Sequence, residues 1–395
     1  MPLATLDDLI AHGVAGQRVF VRADLNVPIK DGKVGDDTRI RATLPTLRRL
    51  LEAGARVVLA SHLGRPKGNA DPKLSLAPVA KRLGSLLEGP VAFAPECVGP
   101  ETESAVANLA EGSVLLLENL RFHAEEETND PAFAASLAAL SDVYVNDAFG
   151  TAHRAHASTV GMVSLVNEAG AGDLLCAELA HLRRILDPVH PFLCLLGGAK
   201  VSDKLTVLEA MVKRADVVCV GGAMAYTFLH AQGKPVGTSR VEADRVDDAK
   251  RVLAAAKKAG HKLMLPTDHI VAEKLEAGAE SKTVSKIPDG WMGLDIGPKT
   301  AKAYATACAR AKTIFWNGPM GVFEIDAFAK GTEAVANAVA KSKAVSVVGG
   351  GDSLAAINKL GLADRITHCS TGGGASLEFV EGRALPGVVA LEKHA

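Results

Sequence analysis

The sequence is poor in aromatic residues and has none of the cysteine patterns that organise metal or disulfide scaffolds. Phe, Trp and Tyr make up 4 % of the 395 residues, which excludes the stacking platforms of single-strand nucleic-acid binders and aromatic cages for methylated cations. The six cysteines (Cys97, Cys176, Cys194, Cys219, Cys308 and Cys369) form no CxxC pair. They read as small hydrophobes in a reducing compartment. Excess charge is missing too. The 44 Lys+Arg stand against 45 Asp+Glu, which excludes a polybasic nucleic-acid binder, and 48 % apolar content excludes a disordered chain. No run approaches the roughly 18 uninterrupted apolar residues of a membrane span. The opening MPLATLDDLIAHG lacks a charged segment followed by an apolar one. The expectation is a soluble, unsecreted, cytoplasmic protein without a membrane or nucleic-acid partner.

What is present is a recurrent pattern of buried strand followed by polar or glycine loop. In the first half, Arg18–Val21 runs into RADLNVP, Arg56–Ala60 into SHLGRP, Val114–Leu117 into ENLRFH and Val143–Val145 into NDAFG. In the second half, Phe192–Leu196 runs into GGAK, Val217–Val220 into GGAMA, Lys262–Leu265 into PTD, Thr313–Trp316 into NGPMG, Ala344–Val348 into GGGDS and Arg365–Cys369 into STGGGA. Continuous apolar runs are what strands covered on both faces look like. Helical spacing between them, as in Ala132–Leu140 and Asp244–Ala259, predicts βαβ units. The length admits two or three domains, and the differing strand ends predict two parallel sheets rather than one. Between the halves, Asp173–Asp187 carries Leu175, Leu179, Leu182 and Leu186 on one stripe, with Asp173 a candidate cap and Pro188 a stop. It is a candidate hinge helix.

Ligands bind beyond the carboxyl ends of strands in open parallel sheets, and the candidate residues fall there. In the first half these are Arg22, Arg39, Arg65, Arg121 and Arg154, forks suited to phosphate and carboxylate. Any one of them alone reads as a surface ion pair; five in loops after buried strands point to an anion. Residues 1–165 carry 16 Lys+Arg and 20 Asp+Glu, so these arginines must be placed individually. Asp24 and Asn26 flank Leu25 and either orient a hydroxyl-bearing ligand or cap the turn. His62 is a candidate donor to an anion.

The second half uses glycine. In LLGGAKVSDKL, Ser202 is a candidate N-cap, which puts Lys204 in the first helical turn and Lys200 just before it. Two cations there oppose the helix dipole, and an anion between them would resolve the conflict. VVGGGDSLAAI repeats strand, glycines and helix, with Gly350, Gly351, Asp352 and Ser353 at the turn. Glycines admit close backbone approach and free N–H groups hold phosphate. Asp352 suits Mg²⁺ shared with substrate phosphates. Gly373 lies in a third such loop, GGAMA is a fourth, and Asn317 and Glu324 follow the Trp316 strand, the latter a carboxylate suited to ribose hydroxyls. Several such loops on one edge indicate a polyphosphate nucleotide. No GxxxxGK followed by Ser or Thr is present, no GxGxxG opens a helix, and no HRD or DFG set occurs, which argues against P-loop enzymes, dinucleotide dehydrogenases and protein kinases. A nicotinamide dehydrogenase and a two-domain solute-binding protein stay open as alternatives; NADH binding would favour the first, and ligand binding without turnover the second.

VRADLNVP, DDTRIRATLPT, SHLGRP, ENLRFH, VNDAFGTAHRAHAST, LGGAKVSDKL, WNGPMGVFE, VVGGGDS and STGGGASLE together resemble the signature segments of the phosphoglycerate kinase family, in that family's order. The resemblance implies reversible phosphoryl transfer between 1,3-bisphosphoglycerate and MgADP, giving 3-phosphoglycerate and MgATP. It implies an α/β fold of two doubly wound parallel-sheet, Rossmann-like domains joined by a long helix, with a cleft between them that closes by hinge bending. The implied division is a glycerate domain at 1–169, the helix at 170–187, a nucleotide domain at 188–376 and a tail at 377–395 returning to the first domain. Asp24, Asn26, Arg39, His62, Arg65, Arg121 and Arg154 match the family's glycerate positions. Lys204, Gly293, Asn317, Glu324, the Gly350–Ser353 loop and Gly373 match its nucleotide positions. Asp352 matches the magnesium position, and Arg39, Lys200 and Lys204 match residues at the phosphoryl group in flight. A monomer is the expected state.

Overall fold

Short runs of Val, Leu and Phe, apolar at nearly every position, form strands buried on both faces. In the computed structural model, which describes residues 3–394, the chain divides into two compact units. One is Met1–Ala180 with Ala384–Ala395, the other His181–Arg383.

The first unit is built on six parallel strands: β1 (Arg18–Ala23), β2 (Arg56–Ala60), β3 (Val91–Ala94), β4 (Val114–Leu117), β5 (Val143–Asp147) and β6 (Glu168–Ala171). Their order across the sheet is β3-β4-β2-β1-β5-β6. The helix Thr38–Glu52 turns Ile40, Leu44, Leu47 and Leu50 inward, where they join Val19, Val21 and Leu59 in one core. β3 and β6 are edge strands of Ala, Gly and Glu as much as of branched residues, so their apolar runs are too weak to read from sequence. The helix Pro386–His394 belongs to this unit, and Gly387 N donates to Ala152 O at 2.8 Å.

The second unit has β7 (Phe192–Leu196), β8 (Val217–Val220), β9 (Lys262–Met264), β10 (His269–Ala272), β11 (Ser281–Val284), β12 (Met292–Ile296), β13 (Thr313–Asn317), β14 (Val345–Gly349) and β15 (His368–Ser370). The main parallel sheet runs β9-β8-β7-β13-β14-β15, the third-second-first-fourth-fifth-sixth order of dinucleotide-binding folds. The order of strands reverses between β7 and β13, which run parallel, and a crevice opens beyond the strand ends at such a switch point. Leu195, Trp316 and Val348 pack there with Tyr304 and Val335. An addition to the two-sheet expectation is the antiparallel sheet β11-β10-β12. Three of the four β11 residues are exposed, so no buried run announces it.

Two local expectations are corrected. The helix Asp173–Leu186 is not capped by Asp173. Asp147, at the end of β5, accepts from Leu174 N at 2.9 Å and Leu175 N at 3.3 Å, while Asp173 pairs with Arg49 at 2.6 Å. The next helix spans Leu205–Arg214 with Lys204 at its cap, so Lys204 is not in its first turn. Ser202 is held elsewhere: its hydroxyl donates to Glu242 at 2.6 Å, and the Val201 and Ser202 amides donate to the same carboxylate. Four cysteines are buried, whereas Cys176 and Cys369 are half-buried.

Candidate functional site

In the first unit, parallel strands bring the loops after β1, β2, β4 and β5 to one edge. Asp24 is buried just past β1, and Arg39, in the first turn of its helix, pairs with it. A cation in a first turn opposes the helix dipole; the Asp24 carboxylate offsets that. A Cβ at Gly150, in the loop after β5, would overlap the Asp24 carboxylate and lie 3.5 Å from Arg39 Nη1. This glycine gives the pair its room. Asn26 Oδ1 accepts from Gly64 N at 3.0 Å and Arg121 Nη1 donates to Gly64 O at 2.9 Å, fixing the backbone that carries Arg65. Arg65 is exposed and Arg154 half-buried.

His62 is buried, and burial with Arg22, Arg121, Arg39 and His156 around it holds its imidazole well below the ordinary histidine range. It is neutral at pH 7. Arg22 Nη2 lies 3.4 Å from His62 Nδ1. A guanidinium only donates, so Nδ1 is the acceptor and the ring proton sits on Nε2, ready to donate to an anion. Burial, with Arg22 and Arg154 nearby, depresses the Arg121 guanidinium, and Glu127, 3.4 Å from its Nε, opposes this.

Behind this edge Arg22 plays another part than the sequence suggested, and Ser158, Glu126 and Asn119 join it as supports that the sequence reading did not single out. Arg22, fully buried, donates through Nε to Ser158 Oγ at 2.8 Å. Ser158 in turn donates to Glu126 through both its hydroxyl (2.6 Å) and its amide (2.9 Å). Burial works to raise the Glu126 carboxyl, but His156, Arg22 and Ser158 together hold it below the usual carboxylate range. Asn119, also fully buried, joins the β2 and β4 loops: Oδ1 accepts from Leu63 N and Arg121 N, both at 3.1 Å, and Nδ2 donates to Leu63 O at 2.7 Å. Arg22 is thus a support, not part of the exposed surface. Only the Asn-Leu-Arg run hinted at Asn119; nothing local marks Glu126.

In the second unit the loops after β7 and β13 meet at the switch point. Lys204 Nζ donates to Asn317 O at 3.0 Å and to Asn317 Oδ1. Burial brings its ammonium down to about 8, with Asp352 pulling the other way. Gly318, at φ +94°, leaves the space Lys204 occupies: a Cβ there would come 2.7 Å from Nζ. Asn317 is buried and its Nδ2 has no partner; a Cβ at Gly350 would lie 3.0 Å from it. The helix Gly351–Lys359 opens here, capped at Gly350. Ser353 Oγ accepts from Gly318 N at 2.6 Å, tying the β13 and β14 loops, while Gly351 and Asp352 are exposed at the helix start.

A cleft of about 280 Å³ gathers Gly198, Gly222, Arg240, Gly293, Glu324 and Asp352. Gly293 N is held by Ser239 Oγ at 2.9 Å, and Tyr226 leaves no room for a side chain there. Gly373, at φ +53°, sits after β15 and opens the helix Gly374–Val380. Lys200 is exposed on the β7 loop. The two lysines are therefore unlike: one half-buried and held on Asn317, one in solvent. Arg240 joins the cleft without a sequence signal, since it stands outside every glycine loop. As to a metal, no group of three or more His, Cys, Asp or Glu is gathered among the described residues. A lone exposed carboxylate at Asp352 fits an ion such as Mg²⁺ that keeps most of its ligands as water and substrate phosphate.

The profile of the family described as phosphoglycerate kinase matches residues 6–383. The chain is 56 % identical over 399 residues to a phosphoglycerate kinase of Anaeromyxobacter dehalogenans, covering all of both chains. It is 58 % identical over 382 residues to one of Rubrobacter xylanophilus, covering 96 % of each. Among solved structures it is similar to phosphoglycerate kinase from Coxiella burnetii (TM-score 0.90, 42 % identity, all of both chains). It is also similar to the enzyme from Pyrococcus horikoshii (TM-score 0.86, 36 % identity, 97 % of each).

Proposed function

The chain belongs to the phosphoglycerate kinase family, and from that premise we propose where each substrate binds and how the phosphoryl group moves. The enzyme is a glycolytic kinase whose substrates are small molecules. In the proposed reaction the 1-phosphoryl group of 1,3-bisphosphoglycerate passes to the terminal phosphate oxygen of ADP. The bond from phosphorus to the acyl oxygen breaks, a bond to the ADP oxygen forms, and 3-phosphoglycerate departs as a carboxylate. Both the leaving group and the nucleophile are competent without a covalent enzyme intermediate, so the protein's work is positioning and charge stabilisation.

Glycerate is assigned to the first unit. Arg65, Arg121 and Arg154 take its phosphate, His62 Nε2 donates to an anionic oxygen, and Asp24 and Asn26 orient its hydroxyl and carboxyl ends. Nucleotide is assigned to the second unit. Gly293 faces the base, Glu324 accepts from ribose hydroxyls, and Asn317, Gly373 and the Gly350–Ser353 loop hold phosphates, the loop through its helix-start amides. Arg39, Lys200 and Lys204 stabilise the equatorial oxygens of the transferring group. Asp352 would hold a nucleotide-borne Mg²⁺, which supplies charge neutralisation at the phosphates. Because the two substrates are assigned to different units, transfer requires a hinge motion. The helix Asp173–Leu186 is the proposed hinge, and the enzyme acts as a cytoplasmic monomer. No described helix is long and apolar enough to cross a membrane.

The observation that carries this reading is the convergence of Gly293, Glu324 and Asp352 on one cleft, with the half-buried Lys204 held on Asn317 at the topological switch point. A coupled assay tests it: ATP consumption is expected to require both 3-phosphoglycerate and Mg²⁺. Consumption independent of 3-phosphoglycerate would overturn the substrate assignment.

A further inference from the structure

The carboxylate of Asp295, in β12, is 1 % exposed and lies beneath the nucleotide cleft rather than in it. One oxygen accepts from Ile296 N at 2.8 Å and the other from Gly331 N at 2.6 Å. A Cβ at either Gly321 or Gly331 would overlap this same carboxylate. Neither glycine has a positive φ, so both are there for space. The chain leaves Asp295 at Gly321 and returns to it at Gly331, and the span between them carries two cleft-lining residues, Val322 and Glu324. Val322 N is tied to Leu294 O at 2.9 Å, one residue before Asp295. Burial, opposed by the two backbone donors and reinforced by Glu333, pushes the Asp295 carboxyl up to about 7. No ion pair engages it among the described residues, and its hydrogen-bond partners are backbone amides: that of its neighbour Ile296 and that of Gly331 at one end of the loop.

We propose that Asp295 is a positioning residue for the nucleotide: it pins the Gly331 end of the Gly321–Gly331 loop by a hydrogen bond, packs against Gly321 at the other end, and so holds Val322 and Glu324 at the cleft wall. The proposal rests on the nucleotide reading of that cleft. Asp295→Gln would overfill the site, whereas Asp295→Asn keeps the shape and turns an amide donor toward a backbone donor.

The test is calorimetric titration of the full chain with MgADP and, separately, with 3-phosphoglycerate, alongside steady-state kinetics. For Asp295→Asn, MgADP affinity is expected to fall about tenfold, the loss of one charge-assisted hydrogen bond. Affinity for 3-phosphoglycerate stays within about twofold, and nucleotide KM rises more than kcat falls. If Asp295→Asn does not melt cooperatively, Gly331→Ala displaces the same carboxylate and is expected to show the same split. Unchanged MgADP affinity in a folded variant, or equal losses for both ligands, overturns the proposal. A wild-type chain that binds no MgADP overturns the cleft reading on which it rests.

Discussion

The two units are built to meet anions in opposite ways. The first places side chains: loop and strand-end arginines, with Arg39 held by Asp24, Arg121 by the Gly64 carbonyl and Arg22 by Ser158. The second places backbone: glycine loops and a helix start, with one half-buried lysine at the switch point. The difference shows how a net-acidic region can hold a highly anionic ligand. Residues 1–165 carry more acid than base, yet two of those acids, Asp24 and Glu126, lie beneath the cationic surface and hold it in place. The acids are part of how the basic site is made. In the second unit the charge is supplied mainly by peptide dipoles, so little needs to be buried to orient them.

The largest effect expected from this contrast is on chemistry. Arg39→Ala removes the guanidinium proposed to stabilise the transferring group, and kcat is expected to fall on the order of 10³-fold, as for other arginines that stabilise phosphoryl-transfer charge. Stopped or coupled assays at saturating substrates measure it; near-normal turnover would remove Arg39 from the reaction and weaken the side-chain half of the comparison.

Next is stability of the first unit. Glu126→Gln removes the buried carboxylate that is joined to Arg22 through Ser158, and removing one charge from a buried network this way costs about 3–5 kcal/mol. Denaturant unfolding reads it. The carboxyl is held low in the folded chain, so the stability it contributes is present above the ordinary glutamate range. That stability is lost as pH falls through the lower folded value. Wild type is therefore expected to lose stability on acidification across this window, and Glu126→Gln to lose less. Parallel pH profiles would mean that Glu126 is not the anchor.

A smaller, ligand-selective effect belongs to the second unit. Asp352→Ala is expected to weaken MgADP about tenfold, the scale of one lost charge-assisted contact, and to leave 3-phosphoglycerate binding nearly intact. Equal losses for both would erase the division of labour between units.

The finest effect is a proton. With Lys204 near 8 in the free chain, an anion raises it, so MgADP binding at pH 8 takes up about half a proton and at pH 6.5 almost none. The same depression costs stability fully below pH 8 and less as pH rises toward the ordinary lysine value. Calorimetry in buffers of different ionisation enthalpy measures the uptake; release, or no pH dependence, would contradict the placement of Lys204 beside phosphate.

Much of this was legible in the residues. Runs such as FLCLL and TIFWN are apolar throughout because both faces are covered, and they mark strands whatever else is known. The loops after them follow from the parallel arrangement, so Asp24, His62, Asp352 and Asn317 could be placed at sheet edges. What could not be read was pairing at a distance. Arg22 finds Ser158 across 136 residues, and Ser202 finds Glu242 across 40. Nothing local distinguishes such a serine from a helix cap. Asp173 looked like a cap for the same reason, although Asp147, from the neighbouring strand end, does the capping. The β11 strand is exposed at three of its four positions and carries no apolar period for a reader to find.

Hydrogen exchange on the full-length protein with one ligand at a time tests the central claim most directly. The account predicts two separable footprints. 3-Phosphoglycerate should protect amides near residues 24–26, 62–65, 119–122 and 150–154. MgADP should protect 197–204, 292–294, 317–324 and 350–353. Footprints of both ligands on the same unit would contradict it.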